Sequence, residues 1–314
     1  MKLFKRILSV SLCCATLLLC ACTGSSNTPE TTAPQVQDYV DPGTTITDGK
    51  TLKVLAITSS FGLNTTELLH DIAMAEGAEE VIVARLYASG CTLESHVNNL
   101  TKNTGAYEYT KKVNGGWEKI TNATMLYGLQ DEDWDVIFMQ QSAARAGKTD
   151  TYKNYVDTLV DYVLKNKTNP NARFVWNMTW AYDQDTDQAV FLEYGAQQMG
   201  MYRAIVLTTK EMIVPRKDFA AIIPSGTAIQ NARTYYGDTL TKDTYHLNDL
   251  GRIIAGYTMY ATLIGKELTQ INLDQAKSTE FLVATVLTDT DKQVILKAVN
   301  AAIKNPYTVT QIAP

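Results

Sequence analysis

Residues that together could perform nucleophilic catalysis occur near both ends of one predicted domain. Ser60 follows a short apolar run at 53–57 and precedes a helical pattern, so we expect it at a strand-to-helix turn. Asp243 and His246 lie three positions apart in one short loop. A serine nucleophile needs a base to accept its proton, and the base needs a carboxylate that fixes its tautomer. The three residues therefore predict acyl transfer, with the helix N-terminus beside Ser60 helping to stabilise an oxyanion.

Each segment taken alone also fits a simpler interpretation. Serine is a common turn residue, and the loop histidine could merely cap the helix that follows it. The pairing of the two segments in one site therefore depends on the elements that carry them.

Alternating strand and helix patterns would position these residues. Apolar runs predict five strands, at 53–57, 81–87, 135–139, 173–178 and 220–223. Helical patterns lie at 64–75, 152–165, 188–214, 248–264 and 289–303, although 204–207 also fits a strand. Asn64-Thr-Thr-Glu67 resembles a capping box that opens the first helix. This alternation predicts a parallel sheet covered on both faces, with the ligand site at the carboxyl ends of the strands.

The N-terminal segment predicts export and lipid attachment. A basic stretch precedes an apolar run at 7–19, which is too short to span a bilayer comfortably and ends in Leu-Cys-Ala-Cys22. This lipobox pattern predicts removal of residues 1–21 and a lipid on Cys22, and an ordinary signal peptide is the alternative. Residues 22–50, rich in Thr, Ser and Pro, are interpreted as a flexible tether.

We expect residues 51–314 to form one domain, with the C-terminal helices of 275–314 packed on it. The lipid would make the membrane a partner. It would place the protein in the bacterial cell envelope, at the outer membrane or the cell surface.

Charge and cysteine content narrow the possible functions. The formal charge of the chain is −5, and loss of Lys2, Lys5 and Arg6 with the signal gives −8 (−5 − 3). An acidic chain without basic runs predicts no nucleic-acid partner. After cleavage the chain would contain only two cysteines, Cys91 and the lipidated Cys22. Because the thiol of Cys22 would carry the lipid, an intramolecular disulfide is excluded. One cysteine and three histidines also exclude a cysteine-rich zinc site.

Three blocks, in order along residues 52–265, carry a family resemblance. They are Thr58-Ser59-Ser60, the glycine in Ala-Ser-Gly90-Cys, and Asp243-Thr-Tyr-His246. The chain resembles the SGNH/GDSL hydrolase superfamily, in particular a branch of uncharacterised secreted bacterial proteins. The resemblance implies an α/β fold, a three-layer α/β/α sandwich with a central five-stranded parallel sheet in flavodoxin-like order. It also implies that Ser60, His246 and Asp243 form the triad and that Gly90 contributes to the oxyanion hole.

Two departures from the superfamily pattern bear on activity. Thr58 and Ser59 stand where glycine and Asp or Asn are usual, and a β-branched Thr58 could narrow the pocket or indicate lost activity. Gly-x-Asn-Asp is replaced by Met-Gln-Gln-Ser after the third strand. The resemblance therefore implies that Gln140, or alternatively Gln141, joins the backbone of Ser60 and Gly90 in the oxyanion hole. Ordinary polarity at a strand end is the other interpretation of this pair.

Aromatic residues supply the clues to the substrate. Trp180 and Tyr182 follow the fourth strand and could form a platform for a sugar ring, or could simply pack their loop. His96 is a further candidate pocket residue, and Cys91 is expected to be a small packed residue. The resemblance implies an esterase that removes acyl groups, above all O-acetyl groups of carbohydrates, without cofactor or metal. The alternative is a catalytically inactive glycan-binding lipoprotein with the same fold.

Overall fold

The computed structural model describes residues 45–313. The predicted signal peptide, the lipid site at Cys22 and the predicted tether as far as residue 44 lie outside the described residues. At the end of that predicted tether, the N–H of Ile46 donates to the carbonyl of Leu263 (2.9 Å), so this part of the chain contacts the domain. No described helix combines the length and the apolar character that a bilayer span requires.

A seven-stranded sheet forms the centre of the described part. Its strands are β1 (Thr51–Thr58), β2 (Glu80–Tyr87), β3 (Tyr107–Val113), β4 (Gly116–Ala123), β5 (Val136–Met139), β6 (Arg173–Asn177) and β7 (Phe219–Ile223), in the order β4-β3-β2-β1-β5-β6-β7. All neighbouring pairs among β2, β1, β5, β6 and β7 are parallel. Counted along the chain, these five strands lie in the order 2-1-3-4-5. The predicted five-stranded parallel sheet in flavodoxin-like order is therefore confirmed.

Two antiparallel strands, absent from the sequence prediction, extend this sheet beyond β2. β3 pairs with β2, and β4 pairs with β3 at the edge. Most β4 side chains are exposed, so the strand has no apolar run to indicate it. An edge strand with two solvated faces needs no such run, because backbone pairing on one side holds it. A separate two-stranded ribbon, β8 (Gln275–Ala276) and β9 (Thr285–Val286), lies near the C-terminus.

Helices cover both faces of the sheet. They are α1 (Ser60–Thr66), α2 (Leu69–Ala75), α3 (Leu93–Lys102), α4 (Met125–Gln130), α5 (Lys153–Asn166), α6 (Gln198–Met212), α7 (Ser225–Tyr236), α8 (Asp249–Ile264) and α9 (Asp289–Lys304). Alternate residues of β1 point to opposite faces. Val54 and Ala56 share a buried cluster with α1, α2 and α6 to α9, whereas Leu55 and Ile57 share one with α3, α4 and α5. These layers form the predicted α/β/α sandwich.

The helix predicted at 64–75 is in fact two helices, α1 and α2, and α1 begins earlier than predicted. Ser59 occupies the N-cap position, so the capping box proposed for Asn64 and Glu67 is wrong. The side chain of Asn64 instead accepts the backbone N–H of Leu247 (2.8 Å), and Glu67 forms an ion pair with Arg85 (2.6 Å). Both polar side chains make tertiary contacts, which a local pattern cannot reveal. The alternative strand at 204–207 is likewise wrong, because these residues lie inside α6.

Candidate active site

Ser60 is the first residue of α1 and lies at the carboxyl end of β1. The extended backbone of Ser59 (φ −111°) makes the sharp change from strand to helix, and no described side chain caps the helix. The first N–H groups of a helix have no partner within it, so a group bound beside Ser60 can accept from them. The position is the strand-to-helix turn that the sequence predicts.

The side chain of Thr58, at the position where the SGNH/GDSL pattern has glycine, points away from the site. Thr58 is completely buried, and its hydroxyl donates to the carbonyl of Ser59 (3.0 Å). A Cβ added at Gly62 would lie 1.8 Å from the Oγ1 atom of Thr58. The missing side chain of Gly62 therefore provides the space that Thr58 occupies. Thr58 does not line the cavity beside Ser60, so it does not narrow it.

Two hydrogen bonds join Asp243 to His246 within one tight loop. The Nδ1 atom of His246 lies 2.8 Å from Asp243 Oδ2, and the backbone N–H of His246 donates to Oδ1 (2.8 Å). Thr244, between them, has a left-handed backbone (φ +70°) that brings the two side chains together. Burial by itself would raise the pKa of Asp243, but the hydrogen bonds from His246 hold that pKa below its ordinary value. A carboxylate only accepts, so Nδ1 carries the proton and Nε2 is left free to act as a base.

Contacts from two other elements hold this loop in place. Asn64 of α1 accepts the N–H of Leu247, the residue after His246 (2.8 Å). From the loop after β6, the indole N–H of Trp180 donates to the carbonyl of Tyr245 (2.8 Å). The position of His246 is thus tied both to the helix that begins with Ser60 and to the neighbouring strand end.

Ser60, Gly90 and His246 line one cavity of about 260 Å³ at the carboxyl edge of the parallel strands. The remaining lining residues are Ser59, Phe61, Tyr87, Ser89, Ser142, Ala143, Ala144, Tyr182 and Tyr245. Gly90 has a left-handed backbone (φ +61°) that favours glycine. Within residues 45–313, no hydrogen bond joins the Ser60 hydroxyl to His246. The structure therefore brings the three segments together and aligns the Asp–His pair.

The two candidate glutamines do not line this cavity. Gln140 is almost completely buried, donates to the hydroxyl of Ser59 (3.3 Å) and accepts from Asn177 (3.0 Å). Gln141 donates to the backbone and side-chain oxygens of Thr151 (3.1 Å each). Gln140 is linked to the cavity wall by its hydrogen bond to Ser59, and Gln141 is bonded to the segment that contains Thr151.

The candidate His96 is a core residue. It is almost completely buried, and its Nδ1 atom lies 2.9 Å from the hydroxyl of Tyr107. Burial lowers the pKa of His96 to about 4, so the ring is neutral at physiological pH. His96 packs in the core and does not belong to the residues that line the cavity.

Only one member of the predicted aromatic platform reaches the cavity. Tyr182 lines it, whereas Trp180 is fully buried and stacks on Phe61, with ring centroids 4.3 Å apart and planes 7° apart. Phe61 and Tyr245 line the cavity but were not selected from the sequence. Their positions in the sequence could have indicated them, because each is the immediate neighbour of a predicted catalytic residue.

The cysteine and the acidic groups of the described residues form no metal site. Cys91 is buried, and burial raises the pKa of its thiol to about 12, so it is a packed, protonated residue. No group of three or more His, Cys, Asp or Glu residues in the described part could hold a metal ion.

Comparison with known protein families identifies the family to which the chain belongs. The family described as a domain of unknown function, DUF4886, matches residues 53–286, a range that includes Ser60, Gly90 and the Asp243–His246 loop. The chain belongs to the DUF4886 family. A DUF4886 protein from Bacteroides uniformis has a similar solved structure and is 34% identical in sequence, with a TM-score of 0.74 over 83% of this chain and 98% of that one.

More distant similarities extend beyond DUF4886. A candidate SGNH hydrolase from Slackia heliotrinireducens is 20% identical (TM-score 0.44), and the match covers 68% of this chain and 99% of that one. A candidate GDSL-like lipase from Parabacteroides merdae is 11% identical (TM-score 0.44), and the match covers 74% and 100%. A search of curated proteins finds no match.

Proposed function

We propose that this DUF4886 protein is a serine ester hydrolase of the SGNH/GDSL superfamily, with Ser60 as nucleophile, His246 as base and Asp243 as the carboxylate that orients it. One observation carries the proposal: Ser60 and His246 line the same cavity, and Asp243 holds His246 through a 2.8 Å bond to Nδ1. Both segments lie where parallel α/β sheets bind ligands, at the carboxyl ends of the strands.

The reaction would proceed by acyl transfer. Ser60 attacks the carbonyl carbon of the ester while His246 Nε2 takes the hydroxyl proton, and the same proton then passes to the departing alcohol. A water molecule, deprotonated by His246, attacks the acyl carbon of the acyl-enzyme. The protonated His246 then returns this proton to the Ser60 oxygen as the bond to the acyl group breaks, which releases the acid and restores Ser60. Backbone N–H groups at Ser60 and Gly90 would stabilise the oxyanion in both steps. For Gln140 to donate to the oxyanion, its side-chain amide would have to give up the hydrogen bond to the hydroxyl of Ser59.

The cavity walls support a short acyl group on a carbohydrate. The cavity has a volume of about 260 Å³, and the small side chains of Ala143 and Ala144 are among those that line it, so its size suits a short acyl group. Tyr245 and Tyr182, the latter 5% exposed, line the cavity and give its wall an aromatic surface that suits the apolar side of a sugar ring. We therefore propose O-acetyl groups of glycans as the substrate class.

The test is hydrolysis of p-nitrophenyl acetate and of acetylated oligosaccharides by the purified protein. We expect turnover in the parent, and its loss in Ser60→Ala and in His246→Ala with circular dichroism unchanged. Ser89→Ala is the matched control, because Ser89 is an exposed serine of the same cavity wall. Turnover that survives Ser60→Ala would refute the assignment of the nucleophile.

One observation favours a second candidate, a glycan-binding protein without turnover. The hydroxyl of Ser60 makes no hydrogen bond to His246 within the described part of the chain. Binding of oligosaccharides by a parent that hydrolyses neither substrate would support this candidate over the esterase.

We also propose that the protein is anchored to the bacterial envelope by a lipid on Cys22. The Leu-Cys-Ala-Cys sequence at the end of the apolar run supports this proposal. Mass spectrometry of the N-terminal peptide from the native host would detect the lipid. The Cys22→Ser variant should release the protein from the membrane fraction, and an unmodified Cys22 would refute the anchor.

A further inference from the structure

A second cavity, of about 440 Å³, lies beside the catalytic one. The two share a wall: Tyr87 lines both, and α1 gives Ser60 and Phe61 to the catalytic cavity but Leu63 and Asn64 to the second. The far side of the second cavity is formed by β3 and β4, the strands that extend the parallel sheet. We call this second cavity the hairpin cleft. The hairpin cleft therefore directly adjoins the catalytic cavity.

A buried polar cluster forms the floor of the hairpin cleft. Arg85 donates to Glu67 (2.6 Å) and, through Nε, to Thr110 (3.0 Å), and its guanidinium lies 3.5 Å from the ring centroid of Trp117. The side chains of Arg85 and Glu67 are 6% and 7% exposed. A buried ion pair is a weak source of stability, because desolvation offsets much of its attraction. The cluster does, however, hold the Trp117 ring at a defined place in the cleft wall.

Charges in the hairpin cleft are balanced in pairs. The three ion pairs that line it are Arg85–Glu67, Lys119–Glu108 and Arg252–Glu280. Since every cation faces a carboxylate, neither an anionic nor a cationic ligand gains from a net charge here. A hydroxyl group both donates and accepts, so it can bind to either member of such a pair. The lining therefore suits a neutral ligand rich in hydroxyl groups.

Aromatic rings add the other contact that a sugar requires. Trp117 is only partly buried, whereas Trp134, Trp176 and Trp180 are each at most 1% exposed. Trp117 and Tyr87 both line the hairpin cleft. Arg85 covers one face of the Trp117 ring, and the exposed parts of the two rings offer an apolar surface next to the paired charges. Apolar ring faces beside hydrogen-bonding groups match the alternating surfaces of a pyranose.

We propose that the hairpin cleft binds a neutral oligosaccharide chain, the part of the substrate that extends away from the ester bond at Ser60. The proposal deepens the proposed function and rests on it for the nature of the substrate. It assigns the β3–β4 extension, with Trp117, to recognition of the glycan.

Binding in the absence of turnover tests this proposal. Isothermal titration calorimetry of the Ser60→Ala protein would use xylotetraose, cellotetraose and chitotetraose, with tetragalacturonate as the anionic comparison. We expect at least one neutral tetrasaccharide to bind, and to bind more tightly than tetragalacturonate. Trp117→Ala in the same background should weaken that binding at least tenfold. Tyr235→Ala, which removes an exposed aromatic ring outside the cleft, should leave it unchanged.

A second measurement applies if Trp117→Ala does not fold. The other three tryptophans are at most 1% exposed, so iodide in solution quenches mainly the emission of Trp117, and protection from iodide on adding the neutral tetrasaccharide reports Trp117. Quenching that stays unchanged would overturn the proposal. So would equal affinity in Trp117→Ala, tighter binding of tetragalacturonate, or no binding by any neutral tetrasaccharide.

The outcomes separate this proposal from the proposed function. Hydrolysis of p-nitrophenyl acetate by a parent that binds no oligosaccharide would leave the esterase standing and remove the role of the hairpin cleft. Trp117-dependent binding by a parent without turnover would leave the hairpin cleft standing and remove the esterase.

Discussion

The side-chain oxygen of Asn64 accepts a hydrogen bond from the backbone N–H of Leu247, 2.8 Å away. Asn64 lies one helical turn after Ser60, and Leu247 directly follows His246. The bond therefore joins the segments that carry the proposed nucleophile and base, which are far apart along the chain. It is buried, so its loss would leave an unsatisfied N–H group.

Asn64→Ala should weaken both stability and turnover. Loss of the buried acceptor is expected to lower the free energy of unfolding by about 1–3 kcal/mol, and kcat should fall because the His246 loop loses its link to α1. Urea unfolding and ester hydrolysis measure the two effects. Asn64→Asp keeps an acceptor oxygen at the same place and is expected to retain more of the turnover, although its buried carboxylate costs stability. Equal turnover of the two variants would mean that the bond does not position the loop.

Asp243→Asn should impair turnover with little effect on folding. An amide can donate to Nδ1 of His246, which stabilises the tautomer whose Nε2 carries the proton and cannot act as a base. The expected loss in kcat is about 10⁴-fold, the scale associated with removing this carboxylate from a triad. Asp185→Asn, a change at an exposed acidic residue, is the control. Turnover within tenfold of the parent would argue against a triad.

Gly62→Ala should destabilise the protein through Thr58. The new Cβ would lie 1.8 Å from Thr58 Oγ1 and 3.0 Å from Phe138 Cε1, so the neighbouring strand must move. Overpacking of this kind costs about 1–3 kcal/mol. Thr58→Gly in combination with Gly62→Ala removes the closer contact and should recover part of the loss. Chemical denaturation of Gly62→Ala, Thr58→Gly and the double variant gives the coupling energy between the two positions. Changes in the free energy of unfolding that simply add would contradict the contact.

Acid should destabilise the fold in part through Glu67. Burial alone would raise the pKa of Glu67, but Arg85 and hydrogen bonds from Thr279 bring that pKa below its ordinary value of 4.5. A carboxyl with a lowered folded-state pKa stabilises the protein above its unfolded-state pKa, and this stabilisation is lost as the pH falls through the folded-state value. The free energy of unfolding should therefore decrease as the pH drops below 4.5.

Glu67→Gln tests this dependence. The substitution should reduce the loss of stability in acid. At neutral pH it should lower the free energy of unfolding by about 3–5 kcal/mol, because it leaves Arg85 buried without its carboxylate. Urea unfolding measured across a pH series gives both values. Glu193→Gln, at a side chain that is 47% exposed, should change neither. An unchanged pH profile in Glu67→Gln would assign the acid sensitivity to other groups.

The sheet could be predicted closely because its parallel strands are buried on both faces. A strand such as 53–57 then consists almost entirely of apolar residues, and the structure extends it by only a few positions, to Thr51–Thr58. The edge strand β4 gave no such signal, since its residues are mostly exposed and backbone pairing with β3 holds it. The sequence prediction therefore missed β4, which carries Trp117 and Lys119 of the hairpin cleft.

In the candidate site, features that depend on neighbouring residues were predicted and those that depend on side-chain direction were not. Asp243 and His246 are close because three residues separate them in one loop, and the structure shows the bond between them. Gln140 and Trp180 belong to the correct strand ends, but their side chains turn into buried contacts with Ser59 and Phe61. Polarity and position along a strand do not specify which way a side chain at its end will turn.

The sequence by itself determined the alternation of strands and helices, the place of Ser60 at a strand end and the Asp243–His246 pair, because each depends on residues close together in the chain. Only the tertiary structure decided that Ser60, Gly90 and His246 line one cavity and that Gly62 makes room for Thr58. It also placed Trp117 and Arg85 in a cleft beside that cavity. These relationships arise from packing between segments that are distant in sequence, and packing is determined by the shape of the whole core.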